Sequence, residues 1–310
     1  MSLPLGQIQV AEESATEAER EIAAARRSRM PRWFAVLWAN KKCRLGLIVL
    51  GCFVLVAILA PVLAPHDPRS SDFDASLPPS TTHPLGTTAN GNDILSQLIY
   101  GARTSIVVGL VAGTLVTLIA LVIGLTAGYL QGIVDEVLSF LINLALVVPV
   151  LPLMVTVAAY APQGVRGLWL IIFVIAITGW AWGARVKRAQ ILTLRARDYI
   201  TAAKFAGEGT VRIVFAEIMP NMMSLVVAGF LGAAAGAIGG EAGLAFLGLG
   251  DPATVSWGTM LYWANNSGAM STGQWIWLGA PGLAIALLLT SLTLVNFGVD
   301  ALSNPHLREG

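Results

Sequence analysis

Charge is scarce in this chain. Asp, Glu, Lys and Arg make up 12% of its 310 residues, against about 25% in a soluble globular domain. The net charge of +1 leaves no basic surplus for nucleic acid. Cysteine is nearly absent: Cys43 and Cys52 give neither a disulfide framework nor a metal-ligand spacing. The three histidines, His66, His83 and His306, lie far apart in sequence and read as solvated loop residues, so no metal site is expected. No Gly-x-x-x-x-Gly-Lys-Ser/Thr stretch occurs, which excludes ATP binding by a P-loop. No nucleophile sits beside a candidate base, so the chain reads as no enzyme and as carrying no cofactor of its own.

Apolar residues fill that space: 55% of the chain, with a mean hydropathy of +0.72. Six runs approach the roughly 20 apolar residues that a spanning helix needs. They are Leu45–Ala64, Thr104–Tyr129, Val137–Ala159, Leu168–Trp182, Met222–Gly240 and Trp275–Val299. Lipid cannot satisfy free backbone groups, so each run must be helical. The expected fold is an all-α membrane protein of six transmembrane helices. Leu45–Ala64 is not expected to be a cleaved signal: a long acidic tail precedes it, and Pro65 follows where cleavage would fall.

Cation placement orients the spans. Eight of the 19 Lys and Arg precede the first run, seven lie between the fourth and fifth, and Arg308 follows the sixth. Only Arg69, Arg103 and Arg166 remain for the other side. The positive-inside rule then puts both termini in the cytoplasm. The implied organisation is a cytoplasmic tail with a basic anchor (1–44), a first helix (45–64), an extracytoplasmic segment (65–103), a five-helix core (104–300) and a short cytoplasmic tail (301–310). Residues 1–30 read as a solvated tail, and Arg32–Arg44 with Trp33 and Trp38 as an interfacial anchor.

Within the spans, Gly109 and Gly113 are four apart, as are Gly124 and Gly128, and Gly232, Gly236 and Gly240 extend the same spacing. Such spacing lets helix backbones approach closely in lipid. The third series is expected against another helix, including one of a partner subunit. Pro149 and Pro152 sit within the third run and should bend it. Asn143, Pro149 and Glu241 are the candidates for a translocation pathway. No chain of ionisable residues crosses the spans, which weighs against a proton- or sodium-coupled carrier.

The segment Arg197–Pro220 (RDYITAAKFAGEGTVRIVFAEIMP) is polar, basic and set between two spans. Gly183–Phe205 has no internal Pro or Gly, so a helix is expected to leave the membrane and continue through it. Gly207 and Gly209 supply a sharp turn. Val211–Met219 should form a second helix that Pro220 ends.

That segment resembles the cytoplasmic coupling loop of ABC-transporter membrane subunits, with Thr201-Ala202-Ala203, Gly207 and Met219-Pro220 filling its pattern. Thr201 stands in place of the usual acid and Glu217 in the isoleucine slot. His83–Leu110, Gly128–Pro149 and Gly240–Gly250 followed by Val255–Leu261 resemble permeases of the dipeptide and oligopeptide DppC/OppC type. Departures from that family's pattern are Asn92 for Arg, Phe140 and Asn143 where charges are common, and Asn304-Pro305-His306 for an Asp-Pro ending. The resemblance covers roughly Leu45–Arg308.

The resemblance implies a type I ABC importer permease fold in the bacterial cytoplasmic membrane. Its implied partners are a second, similar permease subunit, two ATPase subunits that bind ATP and Mg, and an extracytoplasmic solute-binding protein. ATPase docking would fall on Arg197, Asp198, Tyr199, Thr201, Ala202, Ala203, Lys204, Gly207 and Glu208, within a coupling loop at 184–220. The implied cargo is a peptide, with oligosaccharides or nickel chelates as alternatives. A secondary transporter or channel, or a membrane anchor or sensor subunit, are the readings from other classes. Copurification with a Walker-motif ATPase separates them.

Overall fold

The computed structural model describes residues 37–162, 165 and 167–303. The stretch before residue 37, with Trp33, and the Asn304-Pro305-His306 ending lie outside them. Among the described residues the chain is helical and has no strand, only an isolated bridge between Thr87 and Asp93. The helices are α1 (Lys41–Ile58), α2 (Ala60–Leu63), α3 (Ile94–Leu130), α4 (Gly132–Val147), α5 (Val150–Ala159) and α6 (Leu168–Arg195). They continue with α7 (Asp198–Phe205), α8 (Thr210–Phe246), α9 (Trp257–Asn266) and α10 (Trp275–Ser303). Four of these, α3, α6, α8 and α10, are long and apolar enough to cross a membrane, and α4 with α5 makes a fifth span if the bent pair counts as one.

The central helix is α3, and it starts ten residues before the apolar run that announced it. Asp93 caps it: the carboxylate accepts from the Ser96 backbone N–H at 2.8 Å and from Ser96 Oγ at 2.7 Å. Its glycines then admit neighbours. A Cβ on Gly101 would lie 2.6 Å from the Trp257 ring, on Gly113 2.9 Å from Ala234 Cα, and on Gly124 2.8 Å from the Ala184 carbonyl oxygen. Along its length α3 thus meets α9, α8 and α6 in turn, and no larger residue fits at those positions without shifting its neighbours. Around this axis, α1 packs on α10, where Gly46 meets Leu294 and Gly298 meets Cys43.

The third run bends as its prolines suggested, and two boundaries depart from the sequence reading. The third run breaks by 85° between α4 and α5. Proline at 149 disfavours helical geometry for Val148, which sits at φ −76° and ψ 125°. Pro152 falls in the first turn of α5, where its missing N–H has no helical partner to lose. The helix expected to run through Phe205 ends at Arg195, although no Pro or Gly interrupts it. Its Arg195 Nη1 donates to the Tyr129 carbonyl at 2.9 Å, and Ile200 turns back into a cluster with Ile191, Leu194, Ile213, Ile218 and Met222. Burying Ile200 there favours a break over a straight continuation. Finally, Pro220 does not end a helix: α8 runs through it. Residues Ile213–Ile218 adopt a wider π-helical turn just before Pro220, which shifts the hydrogen-bond register where proline supplies no donor.

Candidate functional site

The turn between α6 and α8 carries all nine predicted docking residues. Helix α7 has an inner and an outer face. Ile200 is buried and Ala203 half-buried against the cluster under it. Arg197, Asp198, Tyr199, Thr201, Ala202, Lys204 and Gly207 are exposed, and Glu208 is half-buried. After Phe205 the chain reverses in a Schellman turn. Gly207 N–H donates to the Lys204 carbonyl at 3.0 Å and Glu208 N–H to the Ala203 carbonyl at 3.1 Å. Gly207 sits at φ +80°, which a β-branched residue poorly tolerates.

Polar contacts steady this turn. Lys204 Nζ stands 5.8 Å from the centre of the Tyr129 ring, and Glu208 pairs with Arg212 at 3.4 Å. Its exposed surface mixes charged and polar side chains with one large apolar one: Phe205 is 89% exposed. An aromatic ring held in the open on a capped turn is a feature of a surface that meets a partner.

A second feature opens among α3, α5, α6 and α8. It is a cavity of about 460 Å³ whose lining includes Thr117, Val150, Gly179, Gly183, Gly229 and Gly236. Gly109 and Gly113 are packed from the far side by Ile238 and Ala234. By contrast, among the described residues no atom beyond the helix's own neighbouring turns lies within 4 Å of a Cβ built on Gly232 or Gly236, and Gly240 makes only ordinary contacts with Ile175 and Met154. Of the three pathway candidates, Asn143 is exposed on α4, Pro149 is exposed at the break, and Glu241 is 2% exposed beside the Ser256 cap of α9. None of the three lines the cavity.

Sequence reasoning missed three arrangements. Lys187, counted there as a loop cation, is buried and lines the cavity. Arg188 on α6 pairs with Asp135 on α4. His66 and His83, 17 positions apart, are not solvated as expected. Their rings stack with centroids 4.8 Å apart, His83 is buried, and its Nδ1 lies 2.9 Å from Asp93 Oδ1. Packing of the 65–93 segment onto the start of α3 brings them together, and Phe73 closes the stack edge-on to both rings. Both Asp93 oxygens are already engaged, by His83 and by Ser96, so the cluster serves as a hydrogen-bonded clamp on the α3 cap.

A family model described as the binding-protein-dependent transport system inner membrane component matches residues 120–309. One described as the N-terminal TM domain of oligopeptide transport permease C matches residues 32–79. The dipeptide transport system permease protein DppC of Bacillus subtilis is 33% identical over 273 residues, covering 87% of this chain and 83% of that protein. The oligopeptide transport system permease protein OppC of Mycobacterium tuberculosis is 32% identical over 292 residues, covering 93% and 98%. Among solved structures, an inward-facing form of the MetNI methionine ABC transporter aligns with a TM-score of 0.54 at 18% identity, covering 68% of this chain and 96% of that one. The arrangement of helices is therefore that of an ABC importer permease, and the chain belongs to the family of binding-protein-dependent transport system inner membrane components, in its DppC/OppC branch.

Proposed function

We propose that this chain is one of two membrane subunits of an ATP-driven importer in the bacterial cytoplasmic membrane. It forms half of a translocation pathway for short peptides and receives its power stroke from a separate ATPase through the α7 turn. A second permease subunit, two ATPase subunits and an extracytoplasmic binding protein complete the assembly. The observation that carries the coupling role is Phe205, 89% exposed on a turn whose inner face is anchored by Ile200. Peptide as cargo is supported by the relatives, whose names specify dipeptides and oligopeptides.

The proposed topology has six spans with both ends in the cytoplasm. To the four long helices it adds the bent α4–α5 pair and α1 continued by α2. Lys41–Leu63 rises roughly 34 Å at 1.5 Å per residue, enough to cross the hydrocarbon core. Its cations Lys41, Lys42 and Arg44 all lie in the first turn, as a cytoplasmic start requires.

Two measurements test this reading. Cysteines placed at the exposed positions Ser80 and Thr210 should label from outside and inside respectively. Labelling of both from one face would overturn the topology. In proteoliposomes holding the assembled complex, short peptides should stimulate ATP hydrolysis and accumulate. Oligosaccharide or nickel-chelate accumulation without peptide uptake would replace the cargo.

A further inference from the structure

We propose that Lys187 is the cargo-binding cation of the translocation cavity, and that its ammonium takes the terminal carboxylate of a passing peptide. The proposal rests on the reading of the chain as a peptide permease subunit and names a contact within it.

Lys187 is 2% exposed, yet it lines a cavity of about 460 Å³. That volume lies within the range of small-molecule sites, about 300–1,000 Å³. Its stem packs between α6 and α3, with Cβ 2.9 Å from a Cβ built on Gly124. Its Nζ would be 3.2 Å from a Cβ on Gly229 and 3.4 Å from one on Gly183. Side chains on a helix lean toward its N-terminus, so Nζ lies about one turn back along α6 from its own Cα. In the proposed topology that direction is toward the membrane interior. Glycine at 183 and 229 leaves room for the ammonium, which packs against a surface bare of side chains. Gly232 and Gly236 continue that bare surface along α8.

No carboxylate among the described residues pairs with Lys187, and no hydrogen-bond acceptor meets it. Of the other cations on α6, Arg188 is engaged by Asp135 and Arg195 by the carbonyl of Tyr129, and Arg185 is exposed. A cation held in a largely enclosed cavity without a partner is only partly solvated, and an arriving carboxylate offsets the lost hydration with charge-assisted hydrogen bonds. The competing occupant is a helix of the partner subunit laid on the glycine stripe. The break at Val148–Pro149 argues against it, because Val150 and Met154 of the restarted helix line the same cavity. Non-helical backbone at membrane depth is tolerated where it borders a water-filled space, and substrate sites recur at such breaks.

The test uses the assembled complex in proteoliposomes, with its binding protein held constant. Uptake of trialanine and of trialanine amide is compared in the parent, in Lys187→Arg and in Lys187→Met. Methionine keeps the length and removes the charge, so the fold should persist. The parent and Lys187→Arg should favour the free carboxylate, and Lys187→Met should lose that preference by about tenfold. An unchanged preference in Lys187→Met, with peptides still transported, would overturn the proposal alone. Failure of Lys187→Met to copurify with the partner permease would overturn it in favour of an intersubunit ion pair. If the parent transports neither peptide, the peptide reading fails, and this proposal with it.

Discussion

The guanidinium of Arg188 donates two hydrogen bonds to the carboxylate of Asp135, from Nε at 2.6 Å and from an Nη at 2.8 Å. Ser139 Oγ adds a third at 2.9 Å. The fork ties α4 to α6 just beyond the turn at Gln131–Gly132, where both residues hold positive φ, and farther along buried Ile142 packs α4 against Ala120 of α3 and Ala184 of α6. Both side chains are partly shielded, at 29% and 17% exposure. Arg188→Ala and Asp135→Ala should each lower stability by about 1 kcal/mol, and a double-mutant cycle should return a coupling of similar size. Strictly additive losses would mean that the pair makes no contribution as a pair.

The two glycine series should respond differently to the same substitution. Gly113→Val puts methyl groups into backbone atoms of Ala234 on α8, where the first Cβ already lies at 2.9 Å. Overpacking of this kind costs roughly 1–3 kcal/mol and should show as a lower unfolding temperature of the purified subunit. Gly232→Ala and Gly236→Ala meet open space within this chain, so its thermal stability should stay within about 0.5 kcal/mol. Transport by the assembled complex is where those two should register. A large loss of stability from Gly232→Ala in the isolated subunit would contradict the open face.

Most of the long helices were legible because lipid demands uninterrupted apolar runs, and α3, α6, α8 and α10 each contain one. Their ends were not, because ends answer to packing. Arg195 stops α6 by reaching the carbonyl of Tyr129, 66 positions earlier, and Ile200 folds back onto Met222. No local residue marks either event. The π-helical turn before Pro220 escaped for the opposite reason: the local rule for proline was applied, and a register shift satisfied it another way. At the site, the glycine turn at 207 was visible as a Gly-rich spacing, whereas the burial of Lys187 needed Gly183 and Gly229 brought to one point.

The α3 cap should carry a pH dependence. Burial would push the Asp93 carboxyl up, but the Ser96 side chain, then His83 and the Ser96 backbone N–H, hold it below its ordinary 3.8. A folded value below the unfolded one means that ionised Asp93 stabilises the protein above roughly pH 4, and that the benefit fades as pH falls through the folded value. Asp93→Asn should cost about 1–2 kcal/mol at neutral pH. The gap in unfolding temperature between parent and variant should hold from pH 7 to near pH 4 and close below it. A gap that is the same at pH 7 and pH 3 would assign the loss to amide geometry rather than to charge.

Coupling is the role that the α7 turn should reveal. Phe205→Asp replaces an exposed ring with a charge and removes no contact inside the chain's core, so insertion and subunit stability should survive. An apolar docking surface, however, would then have to desolvate a carboxylate, at a cost of several kcal/mol without a partner. Gly207→Val acts through the backbone instead. Among the described residues no atom beyond its chain neighbours lies within 4 Å of its Cβ position, so space is not the obstacle, and the strain comes from φ +80°. That strain amounts to about 1–3 kcal/mol, and relieving it would swing Phe205 and the Glu208–Arg212 pair off their present line. Both variants should yield inserted subunits, Phe205→Asp releasing the ATPase on copurification and Gly207→Val retaining it weakly, with peptide-stimulated hydrolysis at least tenfold below the parent. Ala202→Ser, exposed on the same helix and small, should behave as the parent. Full peptide-stimulated hydrolysis and uptake in both Phe205→Asp and Gly207→Val would reduce this turn to a connector between two spans.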